Sequence, residues 1–301
     1  MAEAKDTAPQ RRSLSELMQF AEEQVAKGRE TAERKAAETP KQMFLPGMDE
    51  FMRAMPNHIA RSSLFAPVAR GRRKLHDGSI LQSRGDAEIR FSGKQLDEAQ
   101  ADVWMQAMKE AQYQPLGTSV TINRRAFLLA IGRTDTGPNY KWLHRTMQDL
   151  AFAMLVIEVM KADGKPKLSI GRTRALHLIA GFDYDENSEE YTLMIDPRWH
   201  AMYGNREFAL IDWDKRREFG RNQDMAKTLQ RLVATSSNQV QRYALDWLKG
   251  KMEYSGRMRD FREAITRATH ELERLEIIAK GCIEDSTKGK PQLAMWLPAV
   301  A

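Results

Sequence analysis

The chain has 301 residues, which is enough for about two domains that each bury a core. Its composition, 42% hydrophobic and 29% charged, is typical of a soluble globular protein, and no stretch approaches the apolar length that crosses a bilayer. The formal net charge of +6 fits a polyanionic partner.

A single cysteine and the character of the first residues indicate the compartment. Cys282 alone cannot form a disulfide framework, which suits a reducing cytoplasm, and a buried structural thiol is expected at this position. Lys5, Arg11 and Arg12 are charged, but no apolar run of signal-peptide length follows them. We therefore expect a cytoplasmic protein without a membrane partner.

The N-terminal region, residues 1–55, is rich in Ala, Glu, Lys and Gln and poor in β-branched residues. It has too little apolar surface to hold a fold, so we expect a flexible, partly helical tail. A basic stretch at Arg72, Arg73 and Lys74 stands just ahead of the first strongly periodic segment. Such an arm can contact phosphates or the minor groove of DNA, and a solvated linker is an equal alternative.

Residues 56–205 have the pattern of one compact domain. Apolar periodicity, capping residues and turn signals predict its elements. In chain order these are a strand at Glu88–Phe91, a helix at Lys94–Gln112, a strand at Val120–Ile122, a helix capped by Asn123 that runs to Ile131, a helix that begins at Gly137, a strand at Met154–Met160, and a hairpin of Ala175–Ala180 with Tyr191–Ile195. Three helices followed by a β-hairpin are the order of a winged helix.

Residues 206–301 repeat that order without obvious sequence identity. The predicted elements are a strand at Phe208–Ile211, a helix at Trp213–Val233, a shorter helix at Val240–Leu248, a helix at Arg257–Leu275, and a hairpin of Glu276–Ile283 with Gln292–Leu297. The expected fold class is therefore α+β and helix-rich, with two tandem winged-helix domains preceded by the flexible tail.

The helix that follows the turn Ser255-Gly256 has two chemically distinct faces. Its apolar stripe, with spacings of three and four, consists of Phe261, Ile265, Ala268, Leu272 and Leu275. The predicted DNA-reading residues lie away from that stripe and are Arg257, Arg259, Arg262, Thr266, Arg267 and His270. A helix-turn-helix presents such a packed helix, after a shorter helix and a turn, to the major groove. The alternative is a solvated amphipathic helix.

The first domain has a matching candidate on the helix that begins at Gly137. Lys141, Arg145 and Gln148 lie opposite its apolar stripe, and we predict that they read DNA in the same way. Two such readers side by side would protect about two helical turns of DNA, roughly 20 bp.

Catalytic motifs are absent from the sequence. It contains neither G-x-x-x-x-G-K-[ST] nor G-x-G-x-x-G, so we expect no nucleotide hydrolysis. The six histidines have no metal-ligand spacing with one another or with Cys282, and His177 stands alone where a nicking enzyme would have a histidine pair. The acidic run from Asp183 to Glu190 is better explained as a solvated hairpin tip than as a Mg²⁺ site. We therefore expect no cofactor, no metal and no enzymatic activity.

The short segment Ser62–Phe65 resembles the bacterial sliding-clamp motif Gln-Leu-Ser/Asp-Leu-Phe in its last three positions. Arg61 and Ser62 stand where the motif has Gln and Leu. Leu64 and Phe65 are the candidate clamp-binding residues, which would dock as an exposed extended pair. The alternative is that they form the first core contact of the folded domain.

Three longer segments carry a resemblance to a protein family. Gly93–Trp104, Val120–Leu128 and Tyr140–Arg145 resemble the TrfA replication initiators of broad-host-range plasmids, and the likeness extends from about Asn57 to the C-terminus. It implies that two winged helices bind direct repeats, called iterons, in double-stranded origin DNA. It also implies plasmid copy control, opening of A+T-rich DNA with single-stranded contacts, recruitment of the host helicase, host initiator and polymerase sliding clamp, and a monomer–dimer equilibrium.

Two other functions are open from the sequence. A winged-helix transcriptional regulator would share the DNA-binding core and would lack the clamp and helicase contacts. A nicking Rep enzyme would cleave a strand with a metal ion, and the absent histidine pair argues against it.

Overall fold

A computed structural model of the chain describes residues 51–68, 73–83, 87–114, 117–161, 166–203 and 207–299. The predicted tail up to residue 50 and the candidate contact Arg72 lie outside these ranges. The end of the predicted tail is instead the start of a strand, because its backbone is paired and Ala54 and Met55 are fully buried. No helix in the described ranges combines the length and the apolar character needed to span a membrane.

The described chain consists of short strands and helices. Up to Tyr203 they are β1 (Met52–Pro56), α1 (Asn57–Arg61), β2 (Phe65–Ala66), β3 (Leu75–Ile80), β4 (Ala87–Lys94), β5 (Leu96–Asp97), α2 (Glu98–Ala111), β6 (Ser119–Asn123), α3 (Arg124–Ala130), α4 (Gly137–Phe152), β7 (Met154–Met160), β8 (Pro166–Ile170), β9 (Leu176–His177), β10 (Gly181–Asp185), β11 (Glu190–Met194) and α5 (His200–Tyr203). The others are β12 (Phe208–Asp212), α6 (Trp213–Arg217), α7 (Asp224–Val233), β13 (Val240–Ala244), α8 (Leu245–Lys251), α9 (Met258–Arg274), β14 (Lys280–Asp285) and β15 (Pro291–Trp296). The chain is α+β, as predicted, but the expected excess of helix is not confirmed.

One order of elements occurs twice. The first copy runs α2, β6, α3, α4 and, after an insertion, the hairpin β10–β11, whereas the second runs α7, β13, α8, α9 and the hairpin β14–β15. In each copy the strand before the second helix pairs antiparallel with the last strand of the hairpin. The sheet orders are therefore equivalent, β10-β11-β6 and β14-β15-β13. We call these copies the first and the second repeat.

The insertion in the first repeat builds a separate sheet. Strands β7, β8 and β9 join β3 and β4 in an antiparallel sheet of order β3-β4-β7-β8, with β9 also paired to β7. Alternate residues such as Ile89, Phe91, Leu155 and Ile157 face the interior. The sheet therefore covers one side of the first core and leaves its other face half-exposed.

Two clusters of buried apolar residues stabilise the described chain. The first extends from Ala54 to Trp213 and includes Trp104 and Trp199, whose rings pack edge to face with centroids 5.1 Å apart. The second extends from Phe219 to Met295. Strand β12 pairs with β1, so a strand from the predicted second domain contributes to the first cluster. The division at residues 205 and 206 stays a prediction.

Buried charges join the two repeats. Glu98 on α2 is fully buried and accepts hydrogen bonds from Arg216 Nη2 at 2.8 Å and from Thr228 Oγ1 at 2.6 Å. Arg231 on α7, also fully buried, donates to both carboxylate oxygens of Glu98. Burial alone would raise the pKa of Glu98, but the two guanidinium charges and the hydrogen bonds outweigh it and lower the pKa to about 2. The Glu98 carboxylate is therefore ionised and paired inside the protein.

The prediction of one helix at Trp213–Val233 is wrong. Helix α6 ends at Arg217 and α7 begins at Asp224. Between them lie Gly220 and Asn222, and Asn222 has a left-handed φ of 64° that interrupts the helical backbone. The apolar residues of the two helices were spaced closely enough to imitate one continuous stripe.

Two further element predictions need correction. Residues 240–244, predicted to be helical, form β13, because Gln241 and Tyr243 alternate inward and the backbone pairs with β15. The first strand of the first hairpin is β10 and not Ala175–Ala180, whose Leu178 and Ile179 are fully buried core residues outside any strand. Short apolar runs do not distinguish these structures. Cys282, expected to be buried, is half-buried on β14.

Candidate nucleic-acid interface

Helix α9 has the two faces that its sequence predicts. Phe261, Ile265, Ala268 and Leu272 are buried in the second core. The six candidate reading residues Arg257, Arg259, Arg262, Thr266, Arg267 and His270 are all exposed. All six are thus accessible to solvent, and their contact with DNA stays a prediction.

The exposed face of α9 has donors that no carboxylate neutralises. Arg259 makes only a loose surface pair with Glu263, with Nε and Oε1 3.4 Å apart and the two side chains 88% and 57% exposed. Such pairs contribute about 0–1 kcal/mol and give way readily to a stronger anion. Arg257, Arg262 and Arg267 have no ion pair within the described chain. A guanidinium in this state can donate two hydrogen bonds to guanine or to a phosphate.

Helix α4 occupies the position in the first repeat that α9 has in the second. Its residues Leu143, Met147 and Leu150 are buried, while Lys141, Arg145 and Gln148 are exposed. Lys141 and Arg145 line a shallow depression of about 390 Å³ together with Gly137, Pro138 and Trp142. The structure therefore brings the three predicted residues together on one accessible surface.

Arg124 connects the elements around α4 and was missed by sequence reasoning. Its guanidinium lies 3.9 Å from the ring centroid of Tyr140 on α4, pairs with Glu189 in the hairpin turn and donates to Tyr184 Oη on β10 at 2.5 Å. Beside it, burial and the neighbouring Tyr184 raise the pKa of Tyr191 to about 12, so this hydroxyl stays protonated 3.3 Å from His144 Nδ1. Arg124 thus fixes the hairpin against the exposed helix.

The two hairpin tips have opposite charges. The tip of the first repeat exposes Asp183, Asp185, Glu186 and Glu189. The tip of the second exposes Lys288 and Lys290 around Gly289, whose φ of 67° permits the tight turn. Sequence reasoning identified the acidic tip and passed over the lysines, although the Lys-Gly-Lys turn signals them. Only the second hairpin has charges that attract a phosphate backbone.

The predicted basic arm is a structural contact at Arg73. This side chain pairs with the Asp97 carboxylate and donates to Gln95 O at 3.0 Å and to Gln100 Oε1 at 3.1 Å. Asp97 caps α2, so Arg73 stabilises the start of that helix and is not a freely moving contact for phosphates. Lys74 is exposed, and its DNA contact stays a prediction.

The expectation that Leu64 and Phe65 are exposed is wrong. Their side chains are 1% and 0% exposed, and the Phe65 ring packs against Trp104 with centroids 5.9 Å apart. The Phe65 carbonyl accepts a hydrogen bond from Arg231 Nη2 at 2.9 Å. The pair is a core contact, which is the alternative that the sequence left open, because a Leu-Phe pair gains more from burial than from solvent exposure.

Candidate metal ligands do not converge within the described ranges. No group of three or more His, Cys, Asp or Glu side chains there has the arrangement of a metal site. His177 is half-buried on β9, and its backbone carbonyl accepts a hydrogen bond from Trp199 Nε1 at 2.9 Å. The arrangement around it serves packing.

Two structural repeats, each with an exposed cationic helix, define an α+β protein with the surface chemistry of an anion-binding module. The sequence profile of the TrfA protein family matches residues 19–288. The chain belongs to the TrfA family. A curated relative, the plasmid replication initiator protein TrfA of Escherichia coli, is 22% identical over 240 residues. That match covers 78% of this chain and 60% of the length of the relative.

One solved structure of RctB has a similar fold. A crystal structure of its domains 2 and 3 has a TM-score of 0.51 and 13% identity, and the match covers 82% of this chain and 99% of that one. A second structure of RctB domains 2–3 has a TM-score of 0.47 and 13% identity, with 80% and 96% covered. At this identity the likeness concerns the fold alone.

Proposed function

We propose that this chain is a plasmid replication initiator that recognises repeated sites in origin DNA with two winged helices. The observation that supports the proposal best is the twofold occurrence of one topology with an exposed cationic helix at the same place in each copy. Membership of the TrfA family and the name of the Escherichia coli relative point to the same role.

The topology of each repeat suits a winged helix. A short helix precedes the exposed helix in both copies, α3 before α4 and α8 before α9, and a β-hairpin follows. In helix-turn-helix proteins the second of two such helices enters the major groove, and its N-terminal residues contact the base edges. Arg257 immediately precedes α9, and Arg259 and Arg262 lie in its first two turns; Lys141 lies in the second turn of α4 and Arg145 in the third.

The recognition proposed here is non-catalytic. DNA binding requires cations and hydrogen-bond donors on an accessible surface, and α4 and α9 have both. In this role the chain opens adjacent A+T-rich DNA and recruits the host helicase, host initiator and sliding clamp. Because Leu64 and Phe65 are buried, the clamp contact belongs to other residues of the chain.

Selection of binding sites from a random double-stranded DNA library tests the recognition directly. The full chain should enrich one sequence, and a footprint on that sequence should cover about two helical turns, roughly 20 bp. A matched selection with the Arg262→Ala variant should lose preference at one base pair. Failure of the wild-type chain to enrich any sequence would contradict the proposal.

Strand opening separates an initiator from a transcriptional regulator that has the same DNA-binding core. A supercoiled plasmid with the selected repeats beside an A+T-rich segment is treated with permanganate, which oxidises unpaired thymines. The chain should increase thymine reactivity in that segment only when the repeats are present. Binding without any increase in reactivity would favour the regulator.

A further inference from the structure

A basic segment lies between the two repeats and has no counterpart within them. It consists of α6 and the six residues that follow, Trp213–Gln223, which we call the bridge. On one side the bridge packs against the end of α3, where Trp213 Nε1 donates to Ala130 O at 2.9 Å. The Arg217 side chain also lies next to Gly132, in the turn that leads to α4. A β-carbon added at Gly132 would be 3.9 Å from Cγ and Nε of Arg217.

The other side of the bridge contacts the end of α9. Arg274 Nη2 donates to Glu218 O at 3.4 Å, and Lys215 Nζ donates to Glu276 O at 3.0 Å. Arg274 lies one turn after His270, on the exposed face of α9. The bridge therefore connects the turn before α4 to the C-terminal end of α9.

Two arginines of the bridge are exposed and unpaired. Neither Arg217 nor Arg221 has a carboxylate partner within the described ranges. Many other exposed arginines are paired, among them Arg90, Arg125, Arg172 and Arg242.

Exposed cations that have no carboxylate partner are concentrated in a few places. Apart from the bridge, they lie on α4, at α9 and on the second hairpin, where they are Lys141, Arg145, Arg257, Arg262, Arg267, Lys280, Lys288 and Lys290. The others in the described chain are Lys74, Lys161 and Arg174. The bridge thus adds positive charge beside the turn before α4 and beside the C-terminal end of α9.

We propose that the bridge is a third DNA contact, in which Arg217 and Arg221 bind backbone phosphates between the two half-sites. This inference rests on the proposed function, because it assumes that α4 and α9 occupy one duplex together. Phosphate contacts set the position of a protein on DNA without reading sequence. The bridge contributes affinity and register, while the helices on either side contribute specificity.

The test compares the full chain with its Arg217→Gln/Arg221→Gln variant on the duplex enriched by site selection. Each lost phosphate contact lowers the salt slope of binding by about 0.9, so the double variant should lose about 1.8. When the salt concentration rises fourfold, the factor by which the wild type loses affinity should then be roughly 12 times the factor by which the variant does. The preferred sequence should stay the same. A Lys161→Gln/Arg174→Gln variant, with two unpaired cations elsewhere, is the matched control and should keep the wild-type slope.

A second measurement locates the contact on the DNA. Methylphosphonates, which carry no charge, replace the phosphates midway between the half-sites. The wild type should bind this duplex more weakly than the natural one, whereas the bridge variant should bind both duplexes with the same affinity. Equal losses for both proteins, or an unchanged salt slope, would overturn the bridge contact. Absence of any enriched sequence would instead overturn the proposed function itself, so the two failures are distinguishable.

Discussion

Arg231 and Glu98 form a fully buried, two-pronged ion pair between the second and the first repeat. Nε and Nη2 of Arg231 each donate to a different carboxylate oxygen of Glu98. Arg216 and Thr228 complete the hydrogen bonds of the same carboxylate. Paired and hydrogen-bonded in this way, the charges tolerate burial, but the loss of Glu98 leaves Arg231 buried without a carboxylate partner.

Removal of this carboxylate should therefore destabilise the protein strongly. We expect Glu98→Ala to lower the free energy of unfolding by about 3–5 kcal/mol, because Arg231 remains buried without a carboxylate partner and Arg216 keeps only Asp102. Urea unfolding at pH 7 measures the change. Glu88→Ala, which removes an exposed pair with Arg90, is the control and should cost less than about 1 kcal/mol. Similar losses for both variants would contradict the role of burial.

Acid should lower the stability of the fold by protonating the Glu98 carboxylate. The pKa of Glu98 is lowered to about 2 in the folded protein from an ordinary 4.5, so its contribution to stability is fully present above about pH 5 and is lost as the pH falls toward 2. A shift of this size corresponds to about 3 kcal/mol. Unfolding measured between pH 7 and pH 3 should show a steeper decline for the wild type than for Glu98→Gln. Parallel curves would mean that other carboxylates dominate the acid response.

The outer face of α9 should determine sequence preference in the second half-site. Arg262→Ala should cost about 1–3 kcal/mol of binding free energy on the preferred site, since a bidentate contact to guanine is lost. Its thermal midpoint should not change, because the side chain is exposed and unpaired. Titrations at one fixed salt concentration, on the preferred duplex and on single-base variants, provide the measurement. Unaltered affinity and preference would exclude α9 as a reader.

The corresponding surface of α4 should account for half of the footprint. Arg145→Ala should weaken protection over one of the two helical turns and leave the other intact. Hydroxyl-radical footprinting resolves the two halves. A wild-type footprint of a single turn that does not respond to Arg145→Ala would leave the first repeat without a role in DNA binding.

Substitution of Leu64 or Phe65 should affect folding before it affects any partner. Each alanine variant should lose about 2–5 kcal/mol of stability, because it creates a cavity in the first core. Thermal and urea unfolding give the values. Leu75→Ala, at a leucine that is 78% exposed, is the control and should change stability by no more than about 0.5 kcal/mol. A stable double variant that has lost only clamp binding would restore the docking hypothesis.

Sequence periodicity was most reliable where one face of a long helix meets the core. The buried and exposed residues of α4 and α9 follow from a spacing of three and four, and Asn123 caps α3 as its side chain suggests. Short elements were harder to predict. Residues 240–244 and the segment before β10 were assigned wrongly because their structure depends on pairing with strands distant in the sequence.

Charged residues showed the limit of local reasoning most clearly. Arg73 and Arg124 carry the same charge as Arg262, yet both are engaged by acidic or aromatic partners from other elements. The buried Glu98 had been placed in an ordinary amphipathic helix. Sequence spacing cannot reveal partners that are more than a hundred positions away, such as Arg231, and those partners decide which cations are free to bind DNA.

The buried ion pairs between the repeats have a consequence for the spacing of DNA sites. Separation of the repeats would break the ion pairs of Glu98 with Arg216 and Arg231. The angle between α4 and α9 is therefore fixed within the fold. DNA turns by roughly 35° for each base pair, since one helical turn takes 10–10.5 bp. A single base pair inserted between the half-sites would rotate one groove away from its helix. Under the proposed recognition, the protein would therefore respond to helical phase as well as to sequence, and a full-turn insertion would restore the direction of the groove but leave it out of reach.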